Sequence, residues 1–178
     1  RFVDEAMASR AYDDTALPIG YSQTISQPFV VAHMTALLIG DDTLDTVLEV
    51  GAGSGYQAAV LAELIRTVYA VERIEALQKR ARLCLKELGY YNVRLRLADG
   101  VMGLPDYGPF DGILVSAGAE SIPESLVQQL KEGARMVAPV GPSGDQRIMV
   151  ITRRGDSYEQ ETLDAVSFVP LIEDKIND

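Results

Sequence analysis

The sequence predicts an α/β domain, a central, mostly parallel, twisted sheet with helices on both faces. Three observations carry this expectation. From Thr46 onward, short β-branched runs alternate with longer stretches of helical spacing, the pattern of strand–helix–strand units and so of a parallel sheet. A glycine-rich bend, Glu49-Val50-Gly51-Ala52-Gly53-Ser54-Gly55, joins the first such run to the first such stretch. The chain has 178 residues, 47% of them apolar, enough to fill one core and too few for two ordinary domains.

The elements follow in order. Phe29 to Leu38 reads as a helix, with Pro28 at its start, where a missing amide hydrogen costs nothing. Ahead of it, Asp13 to Gln27 is turn-rich and irregular, and so long a segment in a small domain points to function. Thr46 to Val50 and Thr67 to Glu72 are the first two strands, separated by a helix over Tyr56 to Arg66. In Glu75 to Leu88 the apolar positions Leu77, Ala81, Leu85 and Leu88 recur at helical spacing, and Gly89 stands where a helix favours glycine. Val93 to Ala98, Gly112 to Val115 and Arg135 to Val140 supply strands three to five, with a helix over Ser125 to Lys131 between the last two. A turn at Gly141 to Gly144 leads into a strand over Arg147 to Thr152, and Ala165 to Val169 offers one more. We expect residues 1–40 to form a segment covering substrate and cofactor, and residues 41–178 the core with its C-terminal strands. Because Arg1 has no methionine before it, an N-terminal helix is expected to precede this chain.

Charge and composition exclude several function classes. With 26 acidic and 16 basic residues the net charge is −10, which argues against a nucleic-acid surface. One cysteine, Cys84, allows no intrachain disulfide, and one histidine, His33, allows neither a Cys/His zinc cage nor a multi-histidine metal site. No metal is expected. No apolar run approaches the roughly 20 residues that span a bilayer, so no membrane partner is expected. The chain is expected to act as a monomer in the reducing cytoplasm.

The glycine bend is the strongest local signal. Three glycines allow a sharp turn and let a ligand approach backbone amides that a Cβ would shield. The nicotinamide-dinucleotide fingerprint places its third glycine five residues after the first, where this chain has Tyr56, so the spacing disfavours a pyrophosphate. The acid-x-Gly-x-Gly-x-Gly pattern instead resembles Rossmann-like class I S-adenosylmethionine-dependent methyltransferases, whose cofactor is a cation with an amino-acid tail able to use an acidic neighbour. Glu72 closes the second strand about 20 residues after Gly51, where a carboxylate can accept both ribose hydroxyls. Asp99-Gly100 follows the third strand at the carboxyl edge of the sheet, and in a methyltransferase fold that position faces the adenine.

The methyl acceptor is narrowed by what is missing. The Asn/Asp-Pro-Pro-aromatic loop of base-amine methylation is replaced by Ser116-Ala117-Gly118-Ala119. Cys84 lies among leucines in a helix and reads as core, unlike a nucleophile for pyrimidine carbon. No carboxylate cluster suits magnesium-dependent catechol chemistry, and His33 reads as surface or packing. A chain so poor in bases suits an acceptor that is already ionised. A carboxylate, with a pKa of about 4, needs no general base at neutral pH, and alignment alone can supply on the order of 7 to 11 kcal/mol. Hydroxyls that could hold such a carboxylate are concentrated at Ser22, Thr24 and Ser26.

The block Leu17-Pro18-Ile19-Gly20-Tyr21-Ser22-Gln23-Thr24-Ile25-Ser26-Gln27-Pro28, followed by Glu49 to Gly55, resembles the protein-L-isoaspartate O-methyltransferase family. Ala98-Asp99-Gly100, Pro109-Phe110-Asp111, Pro139-Val140-Gly141 and Val169-Pro170-Leu171 also match, so that the likeness runs from Phe2 to about Ile172. The resemblance implies S-adenosylmethionine as cofactor, S-adenosylhomocysteine as product, and methylation of the α-carboxylate of L-isoaspartyl residues in damaged proteins and peptides. The neighbouring amide nitrogen then attacks the ester carbonyl, methanol leaves as a succinimide closes, and the succinimide reopens partly to normal aspartate.

Position by position, the resemblance makes Ser26 the active-site serine, hydrogen bonding to the substrate carboxylate. It places Gln23, Thr24, Ile25, Ser26, Glu49, Gly51, Gly53, Gly55, Glu72, Arg73, Asp99 and Gly100 around the cofactor, and Val169, Pro170 and Leu171 in a segment enclosing the substrate. Ser26 could instead be the N-cap of the helix at Pro28. The chain departs from the family pattern at Ser22, where glycine is usual. It does so again at Gly118-Ala119-Glu120, where Ala-Ala-Pro is usual, and at Glu132-Gly133-Ala134, where Pro-Gly-Gly is. Two alternatives stay open: a small-molecule carboxyl methyltransferase, and an S-adenosylmethionine-binding protein with lost or altered activity.

Overall fold

The computed structural model describes residues 1–172. After a 3-10 turn over Glu5–Arg10, the strands β1 (Leu17–Gly20) and β2 (Gln23–Ile25) form a small antiparallel hairpin. Helix α1 (Pro28–Ile39) leads into β3 (Thr46–Val50), α2 (Tyr56–Ala62), β4 (Thr67–Glu72), α3 (Glu75–Glu87) and β5 (Val93–Leu97). The chain continues through β6 (Phe110–Val115), the one-turn α4 (Glu124–Val127), β7 (Leu130–Val140), β8 (Gln146–Arg154) and β9 (Ser157–Val166).

The last seven strands make one sheet in the order β5-β4-β3-β6-β7-β8-β9. Strands β3 to β7 pair in parallel, while β8 and β9 extend the far edge antiparallel. Parallel strands buried on both faces read as continuous apolar runs, and in β3 every residue from Val47 to Val50 is buried, Glu49 included. On one face, Met34 and Leu38 of α1 and Leu61 of α2 pack on Val47, Val68 and Leu114. Ala81 and Leu85 of α3 continue that layer over Ala70 and Leu95. The opposite face packs Leu48, Val71 and Ile113 under Phe110, Leu126 and Val127. The order of strands reverses between β3 and β6, and open α/β sheets bind ligands beyond the carboxyl ends of strands at such a point.

The structure departs from the sequence reading in six places. Within Asp13 to Gln27 lies the β1–β2 hairpin, whose alternation is legible afterwards: Leu17 and Ile19 are buried while Pro18 and Gly20 face out. Helix α2 stops at Ala62, short of Arg66, because the Asn92 side-chain amide donates to the carbonyls of Ala62 (2.8 Å) and Ile65 (3.0 Å) and turns the chain there. The helix expected over Ser125 to Lys131 ends at Val127. Gln129 turns its side chain to Leu104 N–H (2.8 Å) and the Met102 carbonyl (3.0 Å), and Leu130 enters β7 beside Phe110. Strand β7 therefore begins five residues before Arg135. Finally, the last strand is β9 rather than Ala165 to Val169. It is a polar edge strand, Ser-Tyr-Glu-Gln-Glu-Thr-Leu-Asp-Ala-Val, and charged edges that resist further pairing carry little hydrophobic signal. Cys84 is only half-buried on α3, its thiol facing the Arg1 carbonyl at 3.5 Å, because it sits beside the N-terminal segment rather than under the sheet.

Candidate active site

At the end of β3 the backbone turns through Gly51, Gly53 and Gly55, with φ values of +87°, +54° and +86°. Side chains rarely adopt these values, so the bend demands glycine. Space demands it too: a Cβ on Gly53 would stand 3.2 Å from Ile19 Cδ1, and one on Gly55 3.2 Å from Leu85 Cδ1. The bend is thereby clasped between the β1–β2 hairpin and α3.

Glu72, the last residue of β4 and buried, ties this bend to the next loop. Its Oε2 accepts the Gly53 amide at 2.8 Å and its Oε1 the Ile74 amide at 2.8 Å. Each carboxylate oxygen has a second lone pair left for a ligand. Glu49 is fully buried beneath the bend. Its Oε1 accepts the Ser116 hydroxyl at 3.4 Å, and its Oε2 is buried with no partner. Burial pushes the Glu49 carboxyl up to about 8; the Ser116 bond opposes the rise and the nearby Glu72 charge adds to it. Glu49 is accordingly protonated at neutral pH in the absence of a cation. An acidic oxygen left unpaired in a closed pocket fits a positively charged group and suits no phosphate.

Two narrow clefts meet over Gly51. One is lined by Gln23, Glu72, Arg73, Gly100, Pro170 and Leu171, the other by Thr24, Ile25, Ser26, Glu49, Gly53 and Ser116. A wider cavity of about 470 Å3 opens beside the second and shares Thr24, Ser26 and Ser116 with it, its outer wall being Val166 to Val169. Ser26 also borders a third space, about 390 Å3, against Pro28 and Tyr56. It therefore stands where the spaces join.

Most residues singled out from sequence converge here. Gln23, Thr24, Ile25, Ser26, Glu49, Gly51, Gly53, Glu72, Arg73 and Gly100 all line one of the two clefts. Gly55 lies beneath the bend against Ala81 and Leu85 and touches neither cleft. Asp99 stands one residue outside, its Oδ1 accepting the Val101 amide at 2.9 Å. That turn brings Gly100 so close to the sheet that a Cβ would lie 2.7 Å from Val50 Cγ1. The segment Val169-Pro170-Leu171 is divided: Val169 walls the wide cavity, while Pro170 and Leu171 wall the first cleft.

Ser26 is not the N-cap of α1. That position is Gln27, and Asp14 serves the helix end from outside, accepting the Phe29 amide at 2.9 Å and the Gln27 side-chain amide at 2.9 Å. His33 lies away from the clefts, stacked on Phe29 and 3.3 Å from Asp164. Glu120 is exposed. Among the described residues no group of three His, Cys, Asp or Glu could hold a metal ion. Sequence reasoning missed the part played by Ser116, although its place directly after β6, at the reversal of strand order, was a usable signal.

A mostly parallel sheet whose first βα bend is glycine-rich, next to a strand-end carboxylate and a buried acid suited to a cation, defines a Rossmann-like class I methyltransferase. The comparisons narrow the class. The family profile of protein-L-isoaspartate(D-aspartate) O-methyltransferase matches residues 1–176, and the chain belongs to that family. The protein-L-isoaspartate O-methyltransferase of Halorhodospira halophila is 54% identical over 98% of this chain and 80% of its own length. A solved protein-L-isoaspartate O-methyltransferase superposes with a TM-score of 0.83 at 28% identity, over 92% of this chain and 54% of that one. A Plasmodium falciparum structure described as the same kind of enzyme, in complex with S-adenosyl-L-homocysteine, has a TM-score of 0.79 at 25% identity. It covers 97% of this chain and 85% of its own.

Proposed function

We propose that this protein transfers the methyl group of S-adenosylmethionine to the α-carboxylate of L-isoaspartyl residues in damaged proteins and peptides. The observation that carries this is the position of Ser26, which lines both the cleft under the glycine bend and the wide cavity. Family membership supports the same chemistry.

Bound S-adenosylmethionine supplies an electrophilic methyl group carried on a sulfonium. The residues that would hold it are those of the two clefts. Glu72 offers its free lone pairs to ribose hydroxyls, with Arg73, Asp99 and Gly100 around the base and Gln23 beside them. Glu49 would answer the cationic amino-acid tail, with Thr24, Ile25 and the bend from Gly51 to Gly53 around it. An ammonium beside Glu49 would lower the carboxyl pKa, so that the proton passes to solvent and a neutral acid becomes a paired carboxylate. Ser26 donates its hydroxyl hydrogen to the acceptor carboxylate and fixes its direction. That carboxylate is ionised at neutral pH, its ordinary pKa being about 4. The chain has no proton to remove, and the distance of His33 from the clefts accords with this. Val30, Phe168 and Val169 give the wide cavity apolar walls that exclude water around the acceptor. Segment 1–40 covers substrate and cofactor in this scheme, since β2 and the start of α1 furnish Gln23 to Gln27. No helix among the described residues is long and apolar enough to cross a membrane. The lone cysteine accords with the cytoplasm.

The test is incubation with radiolabelled S-adenosylmethionine and paired peptides differing only in Asp or isoAsp, counting base-labile methyl ester. Label confined to the isoAsp peptide is expected. Equal label on both peptides, or none despite measurable cofactor binding, would overturn the proposal.

A further inference from the structure

Between β9 and Leu171 the chain leaves the sheet edge and crosses to the loop after β6. One stretch of it, Val166 to Leu171, walls both the wide cavity and the first cleft. Its far end is held by backbone alone: the Gly118 amide donates to the Val169 carbonyl at 2.8 Å and the Leu171 amide to the Gly118 carbonyl at 2.8 Å. Its near end is held by a side chain. Gln146, the first residue of β8 and 2% exposed, accepts the Phe168 amide on Oε1 at 2.7 Å and donates Nε2 to the Phe168 carbonyl at 3.3 Å. A primary amide placed this way copies one rung of a β-ladder, two bonds to one residue, just beyond the point where the β8–β9 pairing ends at Gln146 and Val166.

We infer that Gln146 is a positioning residue for methyl transfer: through Phe168 it sets the wall of the wide cavity and so where the acceptor carboxylate rests. The inference builds on the proposed carboxyl-methyl-transfer reading. Phe168 is partly buried, so without the amide its own N–H and C=O would lack partners away from bulk water, and the stretch from Val166 to Val169 would move to find them. The Gln146 amide also packs against Gly118 but makes no hydrogen bond to it, so a side chain of equal volume there leaves the two Gly118 backbone bonds to hold Leu171 beside Gly100. The consequence is a separation of effects, with acceptor binding disturbed and cofactor binding spared. A residue that merely stabilised the fold would disturb both alike.

The test uses Gln146→Met, which keeps volume and removes both bonds, read in three ways. The KM for an isoaspartyl peptide is expected to rise about tenfold, the loss of one to two net hydrogen bonds. The Kd for S-adenosylhomocysteine, by calorimetry, is expected to stay within about threefold. Hydrogen exchange at the Phe168 amide, read without any substrate, is expected to speed up at least tenfold relative to that at Leu171. Should this variant fail to fold, Gln146→Glu takes its place. It keeps the bond from the Phe168 amide and sets a second oxygen against the Phe168 carbonyl, so a KM rise of at least about tenfold is expected. An unchanged KM, a fall in cofactor affinity matching the change in KM, or unaltered Phe168 exchange would each overturn the inference. Failure of the unsubstituted protein to methylate isoaspartyl peptide is a separate result: it overturns the functional reading, and the inference with it, even where the exchange pattern holds.

Discussion

A buried carboxylate at Glu49 is costly to keep without a cation beside it, and Glu49→Gln should expose that cost. Burial raises its carboxyl from 4.5 to about 8. The unfolded chain releases this proton above 4.5 and the folded protein retains it, so the contribution to stability is whole below 4.5 and is lost as pH rises toward 8. At pH 7 the loss corresponds to about 3 kcal/mol at 1.36 kcal/mol per pH unit. Glutamine keeps an oxygen for the Ser116 hydroxyl and cannot ionise. In the cofactor-free protein, thermal unfolding of Glu49→Gln and the unsubstituted chain should nearly coincide at pH 4.5. The variant should then gain progressively, melting several degrees higher at pH 7 by the roughly 2–4 °C per kcal/mol of domains this size. Cofactor affinity should move the other way: without a carboxylate for the cationic tail, calorimetry should read a Kd at least tenfold weaker, the worth of one charge-assisted bond of about 1.5–3 kcal/mol. A stability difference that ignores pH, or a variant that binds S-adenosylhomocysteine as well as the parent, would refute the reasoning.

Three further substitutions test the site. Glu72→Gln replaces one acceptor oxygen with a donor facing the Gly53 or Ile74 amide, and should weaken S-adenosylhomocysteine binding about tenfold or more; an unchanged Kd would remove Glu72 from the ribose position. Ser26→Ala should lower kcat on isoaspartyl peptide by about tenfold while melting temperature and cofactor Kd stay level, since the hydroxyl caps no helix. Ser22→Gly should stabilise the protein by about 1 kcal/mol in denaturant melts, because Tyr21 and Ser22 hold the β1–β2 turn at φ +55° and +56°, where only glycine is free of strain. A neutral or negative effect would show that the turn is not strained at that position.

The central parallel strands were legible as mainly apolar runs ending at turns, as Thr46–Val50 and Thr67–Glu72 show, and β5 by its alternation of apolar residues with Arg94 and Arg96. The glycine bend was legible because its three positive φ values demand one residue type. What escaped was set by partners distant in sequence. Asn92 ends α2 from about 30 positions away, and Gln129 trades helix for a loop cap. Strand β9 pairs along an edge whose outward positions are polar. In the candidate site, Glu49, Glu72 and Ser26 came forward through motif and resemblance. Ser116 did not, although its place directly after β6 was a usable signal, and the glutamine at the start of β8 gains a partner only when the fold brings Phe168 beside it.

The most direct measurement follows a single isoaspartyl peptide by mass spectrometry after mixing with enzyme and S-adenosylmethionine, with its aspartyl twin in parallel. A methyl ester on the isoaspartyl α-carboxylate, followed by succinimide and then a mixture containing ordinary aspartate, is the predicted course, with the twin unmodified. Esterification of the twin at an equal rate, or of neither peptide, would contradict the account.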